Sequence, residues 1–227
     1  MSRNEGIIIN GGSFNGDNYT FIGTQKHQDR PTDPNPAHKE KIRIMLLSAN
    51  PDHTSRLRID RELRAIRDAV QLSRFRDCFD ITVLTAARSD DVRRAFLHER
   101  PHFFHFSGHG TPEGIILEHA AGTPHIIPLA AFAATLKRGC PPLQCVVLNA
   151  CDTIFQAHLV ATGVPFTIAM PDAILDRAAI EFAKGFYDAI GAGRTVPSAY
   201  DEGRSAVEYA GLETGFAPQL LTGSRTA

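Results

Sequence analysis

The stretch HFFHFSGHG, residues 102–110, decides how the chain is read. Its first five residues form a short apolar and aromatic run of the kind that lies buried on both faces of a parallel sheet. The run ends in His109 held between Gly108 and Gly110, which predicts a strand that presents an imidazole just past its carboxyl end. A second stretch does the same with sulfur. CVVLNACDT, residues 145–153, leaves an apolar strand at Cys151, and Asp152 and Thr153, both favoured at helix N-caps, follow directly.

Working outward from these two runs, strand and helix patterns alternate. IRIMLLSA (42–49), ITVLT (81–85), HFFHF (102–106), CVVLNA (145–150) and PFTIAM (165–170) read as strands. Helices are expected over 57–73, where Leu63, Ile66, Val70 and Leu72 recur at near-helical spacing, and over 89–99, 129–137, 153–162, 176–191 and 196–210. Two apolar runs flanking Ala121-Gly122-Thr123 predict a small hairpin at the same end as His109. Such alternation implies an α/β fold, a mostly parallel sheet covered by helices on both faces, with its site at the carboxyl ends of the strands.

The 227 residues are 43% hydrophobic and 22% charged with a formal net charge of -1, which offers no electrostatic footprint for nucleic acid or an anionic membrane. Arg56, Arg58, Arg61, Arg64 and Arg67 read as a solvated helix face. Cys78, Cys140, Cys145 and Cys151 contain no C-x-x-C pair and are too sparse for a disulfide scaffold, which suits a reducing cytoplasm. No secretory signal or run of about 18 apolar residues is present, so a cytoplasmic protein without a membrane anchor is expected.

Residues 26–40, KHQDRPTDPNPAHKE, carry Pro31, Pro34 and Pro36 and are expected to form an extended linker. The linker separates a short segment, residues 1–25, from a compact domain over 41–227. Within that segment GIIINGGSFNGDNYTFIG (6–23) pairs β-favouring runs around a Gly/Asn-rich centre, consistent with a disordered tail or an edge hairpin. Its low charge, absence of proline and aromatics at Phe14, Tyr19 and Phe21 also suit stacked in-register strands. In that respect it resembles the short amyloid-signalling motifs at the termini of some bacterial and fungal immune effectors, which implies an upstream receptor or sensor reached through residues 6–23.

If the two apolar strands are adjacent, His109 and Cys151 meet. A thiolate is the active nucleophile, and a neighbouring imidazole or a helix N-terminus generates it at neutral pH. Attack on a carbonyl creates an oxyanion that needs fixed backbone donors, and Gly110 N–H with Cys151 N–H is the candidate pair. No third residue presents itself as an orienter, so a dyad is expected. His105, between Phe104 and Phe106, reads as a core histidine. Strand alternation places His102 on the face opposite His105, so no metal site is expected, and the lack of phosphate loops or a G-x-S-x-G elbow leaves no cofactor to invoke.

SGHG (107–110), LNAC (148–151), KIRIMLLSANPDHTSRLRIDRELRAI (41–66) and AAIEFAKGFYDAIGAGRTV (178–196) together resemble a bacterial CHAT domain, a branch of the caspase-like (clan CD, peptidase C14-like) cysteine peptidases, over roughly residues 41–221. The resemblance implies a caspase-like three-layer α/β/α sandwich. It also implies that His109 is the general base or acid and Cys151 the nucleophile of an endopeptidase, cleaving a protein substrate in a signalling or defence pathway after oligomerisation or recruitment. The chain departs from the caspase signature, reading Asn149-Ala150-Cys151-Asp152-Thr153, with His109 42 positions upstream of Cys151. In relatives that cleave after Arg or Lys, an aspartate stands where Asn149 does. A neutral Asn149 in the substrate pocket argues against a strict basic preference, with Asp172 and Asp176 as other sources of a carboxylate. The alternative is a catalytically silent adaptor recruited through its N-terminal segment.

Overall fold

Strand and helix alternate along the chain as the apolar pattern requires. The structure, a computed structural model, describes residues 7–9, 12–14, 41–52, 54, 57–139, 142–171, 175–212 and 218–223. Near the N-terminus β1 (Ile7–Ile9) pairs antiparallel with β2 (Gly12–Phe14). The remainder of that segment, including Tyr19–Ile22, and the expected linker over 26–40 lie outside the described residues. There follow β3 (Ile42–Ser48), α1 (Ile59–Leu72), β4 (Phe79–Leu84), α2 (Ser89–His98), β5 (Phe103–Ser107), β6 (His109–Thr111), β7 (Gly114–Glu118) and β8 (Pro124–Pro128). The chain continues through α3 (Leu129–Gly139), β9 (Cys145–Asn149), α4 (Ile154–Ala161), β10 (Phe166–Ala169), α5 (Asp176–Gly191), α6 (Val196–Tyr209) and β11 (Gln219–Thr222).

The central sheet has the order β11-β10-β9-β5-β3-β4. All its pairings are parallel except β10 with β11, which is antiparallel. Alternation along each strand divides the interior in two. Ile44, Leu46, Phe103 and Val147 join the apolar faces of α1, α5 and α6 on one side. Met45, Leu47, Phe104, Phe106, Val146 and Leu148 join residues of α2, α3 and α4 on the other. The result is a three-layer α/β/α sandwich, and its continuous burial explains why the central strands read as unbroken apolar runs. In the second layer Phe104 lies between Phe96 and Phe132, with ring centroids 5.0 and 6.0 Å away, contacts worth about 0.5–1.5 kcal/mol each beyond area burial.

Several expectations change. Leu72 is 85% exposed: it lies two residues beyond Val70, about 200° round the helix and away from the stripe formed by Leu63, Ile66, Ala69 and Val70. The expected hairpin exists but belongs to a three-stranded antiparallel sheet, β6-β7-β8, in which His109 itself starts the first strand. Strand β11 closes the sheet beyond β10 and had no counterpart in the sequence reading. No helix among the described residues is long and apolar enough to cross a membrane.

Candidate active site

The parallel register sets Phe103 opposite Cys145 and Ser107 opposite Asn149, so β5 and β9 end side by side. Past those ends, His109 and Cys151 line one cleft of about 140 Å³, together with Glu62, Gly108, Asn149 and Asp176. That is close to the ~150 Å³ of an engineered cavity that takes up benzene, so the space suits a single side chain. His109, Gly110 and Cys151 are each half-buried, as groups that must meet a substrate need to be.

Close packing joins the two strand ends. A Cβ on Gly110 would be driven into the backbone carbonyl oxygen of Cys151 and would stand 2.9 Å from Thr153 Cγ2. One on Gly108 would meet Phe106 Cζ at 2.7 Å and the Ala49 carbonyl at 2.8 Å. Gly110 therefore lets the His109 segment lie on the Cys151 turn, and Gly108 lets it pass Phe106 and Ala49. Gln156, on α4, adds a tie by donating from Nε2 to the Thr111 carbonyl at 2.5 Å. Gly108 N–H donates to the Asn149 carbonyl at 3.3 Å.

The turn that carries Cys151 is held from below. Thr153 is fully buried, and its hydroxyl donates to the carbonyls of Ala150 at 2.9 Å and Leu148 at 3.2 Å, while Met170 N–H donates to it at 3.2 Å. Thr153 N–H donates in turn to the Met170 carbonyl at 2.9 Å. Thr153 occupies the N-cap position of α4, as its type suggested, yet its side chain does not cap the helix and instead staples the turn to the end of β10. Asp152 adopts φ +54°, a left-handed conformation that Asp tolerates better than most residues.

Polar groups lie beneath one wall of the cleft, which Leu57, Ile59, Ala179 and Ile180 also line. Ser48, Ser107 and Asn149 stand in register across β3, β5 and β9, all buried on the face covered by α1 and α5. Glu62 reaches this row from α1: its Oε1 lies 2.8 Å from His105 Nε2 and accepts from Asn149 Nδ2 at 2.5 Å. His105 is thus a core histidine bonded through Nε2, while its Nδ1 has no hydrogen-bond partner among the described residues. The Tyr187 ring packs 5.6 Å from it, and burial pushes the Tyr187 hydroxyl well above its ordinary range.

Among the residues proposed from sequence, His109, Cys151 and Asn149 come together in the cleft, with Gly110 against the Cys151 carbonyl. Asp172 lies outside the described residues, whereas Asp176 does line the cleft and accepts from Arg58 N–H at 3.2 Å through Oδ2. His102 is buried at the opposite, amino end of β5, where its Nδ1 accepts from Arg43 N–H at 3.0 Å. Glu62 was missed. Its signal was a carboxylate four residues before Ile66, on the stripe α1 buries, where an acid needs a partner.

A family model described as the CHAT domain matches residues 15–210. A curated relative named Roc-COR-CHAT protease, from an unknown prokaryotic organism, is 22% identical over 198 residues, covering 84% of this chain and 18% of its own length. The chain thus spans under a fifth of that relative. Among solved structures, a secreted C11 cysteine protease from Bacteroides thetaiotaomicron, in complex with an irreversible peptide inhibitor, superposes with a TM-score of 0.60 at 13% identity. That match covers 80% of this chain and 66% of the other, and it shows a shared caspase-like fold.

Proposed function

The chain belongs to the CHAT domain family, and from that membership we propose that it is a cysteine endopeptidase with Cys151 as nucleophile and His109 as proton carrier. The observation that carries the reading is the shared cleft. Two groups from strand ends distant in sequence line the same small space, and a glycine packed on the cysteine's carbonyl holds their segments together.

In the proposed reaction His109 takes the Cys151 thiol proton as Sγ attacks the scissile carbonyl carbon, whose oxygen becomes an oxyanion. Gly110 N–H, on the segment packed against the Cys151 turn, is the proposed oxyanion donor, with Cys151 N–H as the second. Collapse expels the amine, which takes the proton from His109 and leaves a thioester on Cys151. Water then adds with His109 as base, and departure of the thiolate frees the acid product and returns the proton to sulfur. Asn149 lines the substrate side of the cleft.

The substrate is proposed to be a protein in a bacterial signalling or defence pathway, and the enzyme to be activated by recruitment or oligomerisation through residues 6–23. The low charge and β-favouring composition of that segment support templated assembly. Deleting residues 1–25 without any change in recruitment or activation would remove this part of the proposal. The activity is tested with the full chain and its Cys151→Ala variant on a peptide library diverse at the residue before the cut, with and without preassembled N-terminal segment. Cleavage abolished by the substitution establishes the peptidase. An inert wild type whose Cys151 alkylates no faster than Cys78 points to the adaptor.

A further inference from the structure

Glu62 is 6% exposed and receives two hydrogen bonds on one oxygen, Oε1. Its other oxygen, Oε2, accepts from nothing among the described residues. Asn149, 4% exposed, spends its amide nitrogen on Glu62 and leaves Oδ1 without a hydrogen-bond partner among the described residues. Asp176 adds a second carboxylate to the same wall, with one oxygen engaged by Arg58 N–H. A half-satisfied buried acid and an orphaned buried acceptor both line a cleft that opens on His109 and Cys151.

We propose that this wall is the S1 subsite, and that it selects a lysine or arginine side chain at the residue before the cut, with Glu62 as the main counter-charge. The proposal rests on the peptidase reading above. The donor and acceptor balance drives it. The free carboxylate oxygens of the wall are acceptors, so the complementary guest is a donor-rich cation, which can bond Glu62 Oε2. An apolar guest would cover that oxygen unpaired, and an acidic guest would face two carboxylates. Arg58 carries the opposing charge, but its residue is exposed at the rim, where water screens it. The charge expected of an aspartate at position 149 has moved to α1: Asn149 now holds a glutamate in place by its amide.

The test uses the full chain and fluorogenic peptides that differ only at the residue before the cut: Lys, Arg, Gln, Leu or Asp. The expected kcat/KM for Lys or Arg exceeds that for Gln, Leu and Asp by about 100-fold or more, as in sites built to hydrogen-bond a substrate group. Glu62→Gln keeps an oxygen for His105 and Asn149 while removing the charge. It should cut the preference for Arg over Gln by about tenfold or more, with the loss mostly in KM. Should that variant fail to fold, Asp176→Asn at the rim should show a smaller shift in the same direction. Cleavage that needs Cys151 but follows Leu or Asp overturns the subsite and leaves the peptidase standing. An Arg preference unchanged in both variants overturns the assignment of these carboxylates. No Cys151-dependent cleavage of any peptide, with or without preassembled N-terminal segment, overturns both readings.

Discussion

Strand β9 has a cysteine at its start and another two residues past its end, and the two live in opposite environments. Cys145 is fully buried in the layer under α1, α5 and α6, and burial pushes its thiol well above the usual range. Cys151 is half-buried in the cleft, beside the His109 segment and just ahead of α4. One residue type thus has two fates, decided by distance from the end of the sheet. The amino end of β9 offers packing and no charge stabilisation. The carboxyl end opens on a cleft that His109 also lines.

The sharpest way to break this comparison is to exchange which cysteine is lost. Cys151→Ala should lower kcat by about 10⁴-fold or more, as removal of a covalent nucleophile does, while Cys145→Ala should change it by less than about threefold, both read from initial rates. Equal losses would mean that Cys151 acts through packing. His109→Ala should cost about 10²–10⁴-fold in kcat, the usual share of general acid–base catalysis, with its folding midpoint in urea nearly unchanged. Gly110→Ala should reduce activity and cost about 1–3 kcal/mol by pushing the His109 segment off the Cys151 carbonyl, measured by the same urea titrations. Glu62→Ala should destabilise by a comparable ~1–3 kcal/mol, because it strands Asn149 and His105 in the interior.

Alkylation gives a finer test. At pH 7.5 iodoacetamide should modify Cys151 in the folded protein at least about 100-fold faster than Cys145, because only the thiolate reacts and the raised Cys145 thiol stays protonated and shielded. In denaturant the two rates should converge. A Cys145 that alkylates readily in the native state would show that β9 opens to solvent, and the contrast drawn here would fail.

Much of this contrast was visible in the residues. Unbroken apolar runs marked strands buried on both faces, and glycine-flanked His109 and the N-cap types after Cys151 marked two strand ends. What escaped notice shares a cause. Three-residue β6 is too short to show alternation, and β11, whose four residues are all exposed or half-buried, carries little apolar signal. Glu62 was passed over because α1 was read from its apolar residues alone, and that criterion also kept Leu72. The Glu62–Asn149 contact joins residues 87 apart in sequence, and nothing local announces it. The reading of Asn149 as a mark against a strict basic preference weighed that position alone, and a carboxylate brought to it from another helix is not visible in the local sequence.

The staple between Thr153 and Met170 also bears on the order of biosynthesis. The turn holding Cys151 is braced by a strand end translated 17 residues later. Domains fold as units while the chain emerges, and pairings between distant segments wait until both partners exist. A nascent chain that has passed Cys151 but not Met170 carries the sulfur without the brace on its turn. A complete turn under Cys151 should therefore form on the ribosome only after β10 has cleared the exit tunnel.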